Sequence, residues 1–281
     1  MKKHKQPKFS IITISFNKDQ YINQTIESVL NQSYGDLQYI IVDGGSTDKS
    51  RNIINRYKYD PRVEIIFQEK DKGPVHSLNE GFKKANGDIL GYVNSDDFLL
   101  KDTLLNVNNI FDDNLDLIFG NVYEVNQYNL LTRKLYSKDF SLLRLRLGQC
   151  FICQQATFFR KKAYEKIKEF NSNNKLNWDL ELVADLVNSG AEYKKINNYL
   201  GCFRIYPGTF TSSTDKNFRK KNYKQLVEKF YGTKLYHFDF IIKIYFYLID
   251  RINFQFLLNK LENIKFKFNK IKILYDKKET I

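Results

Sequence analysis

Two adjacent carboxylates, Asp96 and Asp97, lie just beyond the apolar run Ile89–Val93 and have the clearest chemical potential in the chain. Neighbouring carboxylates repel each other unless a cation or hydrogen-bond donors offset their charge. Their hard oxygen atoms suit Mg²⁺ or Mn²⁺, above all when a bound diphosphate completes the coordination shell. The alternative is that Asp97 caps a helix beginning at Phe98. The pair is therefore a candidate metal site.

Polar residues also follow two earlier apolar runs, as Ser15–Asn17 after the first and Asp43–Ser46 after the second. The runs are short and rich in β-branched residues, as in buried strands, and helix-like segments separate them. This alternation predicts an α/β fold: a Rossmann-like, mostly parallel sheet with helices on both faces. Ligands of such sheets bind outside the carboxyl ends of the strands. We therefore expect the three polar groups to share one rim.

The rest of the chain is less regular. Leu117–Val122 and Ala156–Phe159 are predicted strands, and Trp178–Asn188 is a predicted helix. Helical signals resume near Asn217. We expect a catalytic domain over residues 1–212 and a helical, basic and aromatic C-terminal region over residues 213–281.

The formal net charge is +13, which favours anionic partners. The excess lysines lie at the two ends, and no recognised nucleic-acid motif is present, so a nucleic-acid partner is not expected. The three cysteines include a single C-x-x-C pair, which indicates free thiols in a reducing compartment. No uncharged run reaches the roughly 18 apolar residues of a spanning helix. A cytoplasmic protein is therefore expected.

The segment Phe238–Leu258 is dense in Phe, Ile, Tyr and Leu, but charged residues interrupt it. These charges argue against a membrane-spanning helix. An apolar, aromatic helix followed by lysines suits the anionic inner face of a cell membrane. The alternatives are a helix packed on the catalytic domain and a contact between two subunits of a homodimer. The interrupting charges and following lysines are Asp239, Lys243, Asp250, Arg251, Lys260, Lys265, Lys267, Lys270, Lys272, Lys277 and Lys278.

Five segments together resemble, in order and spacing, the opening of the family-2 glycosyltransferases of GT-A fold that build bacterial surface glycans. These segments are Ser10–Asn17, Ile26–Gln32, Ile41–Asp48, Asp71–Gly81 and Gly87–Asp97. The resemblance extends over residues 8–210 and is looser in the second half. It implies an inverting glycosyltransferase of the hexosyl-transferring class. Such an enzyme moves a sugar from a nucleoside-diphosphate sugar, here UDP-linked, to a hydroxyl of a saccharide or lipid-linked saccharide, with Mn²⁺ or Mg²⁺ as cofactor.

The resemblance also implies roles for individual residues near the nucleotide. Asp43 would accept a hydrogen bond from uracil N3–H, since a carboxylate pairs with an imide donor and so prefers uracil or thymine to cytosine or adenine. Asp96 and Asp97 would bind the metal, Asp97 more directly, and Asp96 would also contact the nucleotide sugar. The remaining nucleotide-sugar residues would be Ile14, Ser15, Asn17, Asp71 and Arg204.

The catalytic base departs from the family pattern. Asn177 stands where the resemblance leads us to expect a catalytic aspartate, and an amide cannot act as a base. Asp179 is the nearest carboxylate and becomes the predicted base. Its alternative role is that of an acidic residue favoured at a helix start by the helix dipole. Glu181 and Asp185 are poorer candidates for the base.

A second departure is Tyr206, which occupies a position where related sequences frequently carry a metal-ligating histidine. Arg204 could still contact a phosphate bidentately. On the acceptor side, the resemblance implies that Gln154, Gln155 and Trp178 contact the acceptor, and the alternative is that the two glutamines are ordinary sheet-edge residues. The competing functions are a nucleotidyltransferase and a catalytically silent nucleotide-sugar-binding protein.

Overall fold

The computed structural model describes residues 8–209, 213–232 and 239–252. Within these ranges the chain forms one nine-stranded mixed sheet, in the order β3-β2-β1-β4-β8-β6-β9-β5, with β7 paired to β6 off this path. The α/β class predicted from the sequence is therefore confirmed. The strands are β1 (Phe9–Ser15), β2 (Leu37–Asp43), β3 (Val63–Phe67), β4 (Ile89–Asn94), β5 (Phe98–Leu99), β6 (Leu117–Val125), β7 (Leu131–Leu135), β8 (Thr157–Arg160) and β9 (Tyr193–Arg204).

Helices cover both faces of this sheet, and each face has its own apolar cluster. One cluster joins the sheet to α1, α2 and α4, and the other joins it to α3 and α5–α8. The helices are α1 (Ile22–Leu30), α2 (Ser50–Ile54), α3 (Pro74–Lys84), α4 (Thr103–Asn108), α5 (Leu142–Arg146), α6 (Lys161–Ile167), α7 (Trp178–Asn188), α8 (Lys216–Tyr231) and α9 (Asp239–Ile252).

The first four long strands run parallel, which brings the ends of β1, β2 and β4 to one edge. Their register places Ser15 beside Asp43 and Ile14 beside Asn94. Strands β1, β2 and β4 are buried on both faces, which explains why their sequences are continuous apolar runs and do not alternate. The three polar groups thus meet at one rim, as the strand order predicts.

The second half of the sheet is mixed. Strand β8 is antiparallel to both β4 and β6, whereas β9 runs parallel to β6 with two shifts of register. The short strand β5 begins immediately after Asp97 and pairs antiparallel with β9, through Phe98 and Cys202. The expectation that Asp97 caps a helix is therefore wrong, because a strand follows it and α4 begins only at Thr103.

Close packing of α3 on β1 depends on a glycine. A Cβ added to Gly81 would lie 2.7 Å from Ile12 Cγ2 and 3.2 Å from Val42 Cγ2. Contacts this short do not occur without displacement of the helix. The absence of a side chain at Gly81 therefore lets α3 approach the sheet, and its first turn carries Ser77 to the same rim.

The two C-terminal helices are attached to the second half of the fold by ion pairs. Lys229 of α8 lies 2.7 Å from Glu181 and 2.6 Å from Asp185, both on α7. Asp250 of α9 pairs with Lys138 at 3.1 Å and with Arg144 at 3.0 Å. Within the described ranges, no helix is both long and apolar enough to cross a bilayer. The lysines from Lys260 onward lie outside the described residues, and the division at residue 212 stays a prediction.

Candidate active site

A cavity of about 670 Å³ opens at the rim where the parallel strands end. Strand ends β1 and β4, the loops after β2 and β3, and the first turn of α7 all contribute to its wall. Predicted site residues that line it are Ile14, Ser15, Asp71, Asp96, Gln154, Gln155, Trp178 and Asp179. The remaining predicted site residues, Asn17, Asp43, Asp97 and Arg204, lie behind this wall or beside it.

Asp43 is fully buried beneath Gly44, which lines the cavity. Its Oδ1 accepts hydrogen bonds from Ser46 N at 2.9 Å, from Gly45 N at 3.2 Å and from Arg51 Nε at 2.7 Å. None of the described residues donates to Oδ2. A buried carboxylate oxygen that lacks a donor is costly, so this atom is suited to receive one from a ligand.

The other residues that are predicted to bind the nucleotide either line the cavity or hold in place the loops that form its wall. Ser15 lines the cavity, and its buried hydroxyl has no hydrogen-bond partner among the described residues. Asp71 also lines the cavity, and its Oδ1 accepts a hydrogen bond from Gly73 N at 2.7 Å. Asn17, with a left-handed φ of 51°, accepts from Thr47 N at 2.8 Å and so ties the loop after β1 to the loop after β2. Asn17 therefore shapes the wall and does not form part of it.

Asp97 is directed into the protein and away from the cavity. It is 1% exposed, and its carboxylate accepts from Arg204 N at 2.8 Å and from Gln155 Nε2 at 2.7 Å. Burial, together with the neighbouring Asp96, raises the pKa of this carboxyl well above its ordinary value. This placement differs from the expectation that Asp97 is the more direct metal ligand.

Asp96 is the carboxylate that faces the cavity. Its Oδ2 accepts a hydrogen bond from the Tyr206 hydroxyl at 2.9 Å, and Lys18 Nζ lies 3.4 Å away. Lys18 Nζ also donates to the Tyr206 oxygen at 2.8 Å. Burial and Asp96 raise the pKa of Tyr206, so the phenol stays protonated and serves Asp96 as a donor. Sequence reasoning missed Lys18, whose only signal is its position three residues after β1.

The donor set fits a divalent cation that is held jointly with a ligand. Within the described ranges no group of three or more His, Cys, Asp or Glu side chains lies together. Of the Asp96–Asp97 pair, Asp96 is the member that lines the cavity, and Mg²⁺ is commonly bound by one or two carboxylates plus substrate phosphates. A metal here would depend on the phosphate oxygens of a bound nucleotide.

Arg204 supports Asp96, the carboxylate that faces the cavity. Its side chain is 2% exposed, Nε donates to the Asp96 carbonyl at 2.7 Å, and Nη2 donates to Gln24 Oε1 at 2.7 Å. The guanidinium also lies over the rings of Tyr21 and Phe98. Its hydrogen-bonding capacity is largely used inside the protein, which differs from the expectation of a phosphate contact.

Asp179 lies in the first turn of α7 and lines the cavity. Its Oδ1 accepts from Leu180 N at 2.8 Å. Burial raises the pKa of Asp179 to about 6, an effect larger than the opposing hydrogen bonds at the helix start. A carboxylate with this pKa is largely ionised at neutral pH yet more basic than an exposed aspartate, which suits a general base.

The alternative bases are engaged elsewhere. Glu181 is buried, and its carboxylate accepts from Asn171 Nδ2 at 2.9 Å and from Lys229 Nζ at 2.7 Å. Asp185 pairs with the same lysine. Both carboxylates therefore join α7 to α8, and neither is among the residues that line the cavity.

The predicted acceptor residues reach the cavity, but their amides are already in use. Gln154 Nε2 donates to the Tyr92 carbonyl at 2.6 Å, and Gln155 Nε2 donates to Asp97. Phe151 and Arg133 also line the cavity, although sequence reasoning did not single them out. Arg133 is about half exposed and pairs with Glu124 at 2.6 Å. The cavity wall thus also includes an exposed aromatic ring and a cation.

The family assignment rests on the sequence that builds this rim. The profile of glycosyl transferase family 2 matches residues 10–168, more than half of the chain. The chain belongs to glycosyl transferase family 2. This match includes Asp43, Asp71 and the Asp96–Asp97 pair, of which Asp71 and Asp96 line the cavity while Asp43 and Asp97 are buried.

Relatives and solved structures are consistent with this family-2 glycosyltransferase. An uncharacterized glycosyltransferase of Haemophilus influenzae is 39% identical over 151 residues, which are 52% of this chain and 59% of that protein. The chondroitin synthase of Escherichia coli is 30% identical over 230 residues, or 79% of this chain and 32% of that protein. The family-2 chain thus spans less than two thirds of these relatives.

Two solved structures share the fold. TarS 1–349 of S. aureus in complex with UDP-GlcNAc has a TM-score of 0.63 at 19% identity, covering 79% of this chain and 71% of that one. The mannosyltransferase PcManGT of Pyrobaculum calidifontis in complex with GDP-Man and Mn²⁺ has a TM-score of 0.57 at 16% identity, covering 74% and 60%. At these identities the likeness establishes the GT-A fold of the family-2 glycosyltransferase.

Proposed function

We propose that this glycosyltransferase moves a sugar, with inversion, from a UDP-linked donor to a hydroxyl of a saccharide or lipid-linked saccharide during synthesis of a bacterial surface polysaccharide. One observation carries the proposal: Asp96 and the more basic carboxylate Asp179 line the same cavity, and Asp43, a hydrogen-bond acceptor, is buried next to Gly44 in its wall. The relative that makes chondroitin supports a polysaccharide product.

The chemistry follows from this arrangement. Asp179 accepts the proton of the acceptor hydroxyl, whose oxygen then forms a bond to the anomeric carbon as the bond from that carbon to the diphosphate breaks on the opposite side. Attack opposite the leaving group inverts the configuration. Asp96 would hold a divalent cation together with the diphosphate, and that cation, when bound, stabilises the negative charge on the leaving group. Trp178, beside Asp179, would help to position the acceptor.

The preference for one nucleobase over another is the direct test of the proposed sugar-donor site. We expect UDP and TDP to bind about tenfold or more tightly than CDP and ADP, because only uracil and thymine present an imide N–H to Asp43 Oδ2. Asp43→Asn should reduce this preference, since an amide offers one oxygen in place of two. The measurement is a thermal-shift panel of nucleoside diphosphates with Mn²⁺, in which a ligand that binds the folded state raises its stability.

Gln38→Glu is a useful control for this panel, because residue 38 is buried on the same strand but contacts Ser10 and Lys84 instead of the cavity. It should lower the melting temperature without changing the order of the nucleotides. Equal affinity for all bases, or tighter binding of GDP than of UDP, would remove the basis for a UDP-linked donor.

A second part of the proposal concerns α9. Acidic side chains of this helix face the protein, whereas most of its apolar side chains face solvent, the reverse of an ordinary surface helix. Its acidic residues Asp239 and Asp250 contact arginines of α5, and Asp250 also contacts Lys138. Its apolar side chains are exposed, with Phe240 at 73% and Ile241 at 61%. The other exposed apolar residues of the helix are Ile244, Tyr245, Tyr247, Leu248 and Ile249. We propose that this face rests on an anionic bilayer.

Charge supports the bilayer as the occupant. Lys243 is exposed on α9, and seven further lysines follow from Lys260 onward in the sequence. A lysine near an anionic leaflet contributes about 1 kcal/mol of attraction. Aromatic and aliphatic side chains next to such a basic stretch are typical of interfacial helices. A lipid-linked acceptor would then meet the cavity at the same surface.

We expect the full-length protein to sediment with anionic vesicles at low salt and much less with neutral vesicles. The double variant Ile244→Gln and Leu248→Gln should lose about 2–4 kcal/mol of membrane affinity, since two apolar side chains no longer enter the interface. Leu105→Gln, an exposed leucine on α4, should behave as the wild type. If vesicle composition makes no difference while the double variant splits a dimer in light scattering, α9 is a subunit contact.

A further inference from the structure

Lys18 occupies an unusual place in a site proposed to hold a metal and a diphosphate. Its backbone is fixed, because Lys18 N donates to the buried Ser50 hydroxyl at 2.9 Å and the preceding Asn17 is held in the left-handed region. Its side chain lines the cavity and is 25% exposed. The ammonium group is thus tethered to a rigid turn by four flexible carbons.

The position of this ammonium group conflicts with a cation at Asp96. Lys18 Nζ lies 3.4 Å from Asp96 Oδ2, and the Tyr206 hydroxyl donates to the same oxygen. Mg²⁺ would need a carboxylate oxygen at about 2.0–2.1 Å. A positive ammonium group so close by would repel the metal ion, so the two cations cannot both be held at Asp96 at full strength.

We infer that Lys18 is a mobile counter-charge, which neutralises Asp96 when the site has no nucleotide and moves to the diphosphate oxygens when a metal–nucleotide complex binds. The inference rests on the proposed donor site. The diphosphate would lie next to Asp96, within reach of the lysine stem, and an ammonium–phosphate hydrogen bond is charge-assisted. Tyr206 remains as the donor to Asp96 in both states.

This role predicts effects of opposite sign for Lys18→Met. Without the ammonium group, Asp96 is exposed to metal, so nucleotide-free Mn²⁺ binding should strengthen about fivefold, as expected for the loss of a partly exposed ion pair. UDP binding in saturating Mn²⁺ should weaken about tenfold or more, because a charge-assisted hydrogen bond to the diphosphate is lost. General damage to the site would weaken both.

The test is a Mn²⁺ titration followed by electron paramagnetic resonance, together with UDP titration calorimetry in saturating Mn²⁺. Lys101→Met, which removes one exposed positive charge outside the cavity, should change neither affinity. Tyr206→Phe removes the hydroxyl from Asp96 but retains Lys18, so UDP binding should change less than in Lys18→Met.

Two kinds of failure are distinguishable. If the wild type binds UDP with Mn²⁺ and Lys18→Met changes both affinities in the same direction, or neither, the counter-charge role is wrong and the donor site stands. If the wild type binds no nucleoside diphosphate with or without Mn²⁺, the proposed donor site fails and the role of Lys18 fails with it.

Discussion

Asp179→Asn is expected to lower turnover by roughly two to four orders of magnitude while donor affinity barely changes. The asparagine keeps the size of the side chain but cannot accept the proton of the acceptor hydroxyl. Turnover is measured with acceptor present, and donor affinity by calorimetry without it. A value near that of the wild type would exclude Asp179 as the base and would favour a base supplied by another residue or by the acceptor, whereas a wild type without turnover would favour a catalytically silent nucleotide-sugar-binding protein.

The pH dependence gives an independent check of the same carboxylate. The pKa of Asp179 is raised to about 6, and the group acts as a base only when it has lost its proton. The specificity constant kcat/KM should therefore fall as the pH drops through about 6 and stay level just above it. Glu181→Gln is the matched control, because this carboxylate lies on the same helix and pairs with Lys229. It should lower stability without moving the acidic limb.

Asp96→Asn and Asp97→Asn are expected to separate metal binding from folding. Asp96 faces the cavity, so its amide variant should fold normally and lose Mn²⁺-dependent UDP binding. Asp97 is enclosed by Arg204 and Gln155, whose N–H groups both donate to it. Its amide has only one acceptor oxygen for these two donors, so stability should fall by about 1–3 kcal/mol.

The two variants are compared by thermal unfolding and by UDP calorimetry with Mn²⁺ and with EDTA. The result that would contradict this division of roles is a stable Asp97→Asn protein without metal-dependent UDP binding, beside an Asp96→Asn protein that binds as the wild type. Asp97 would then be the direct ligand that the family resemblance implies.

The rim of the sheet could be predicted because it depends on strand order alone. A chain that alternates strands and helices gives a parallel sheet, and the ends of its strands meet at one edge. Ser15, Asp43 and Asn94 meet there for that reason. The buried strands were equally clear, since burial on both faces leaves continuous apolar runs that no surface helix shows.

The direction of each side chain at the rim could not be predicted. Asp96 lies in a turn after β4 and Asp97 follows that turn, so the alternation of side chains along a strand does not decide which carboxylate faces inward, and no other local signal does. The inward orientation of Asp97 is stabilised by β9, because Arg204 N at the end of this strand donates a hydrogen bond to Asp97. The two residues are more than a hundred positions apart in the sequence. The contact between Lys18 and Tyr206 is equally remote in sequence, and β8 likewise gave no sign of its antiparallel partners.

The ion pairs between α7 and α8 limit where the C-terminal region could be exchanged for that of another protein. Lys229 holds two carboxylates of the helix whose first turn carries Asp179. Exchanging everything after residue 212 for the tail of another family member would leave Glu181 buried without its cation, and α7, which carries the proposed base, would lose two ion pairs. In a chimera the junction should lie beyond Tyr231, so that α8 is kept together with the predicted catalytic domain and only the residues after it are replaced.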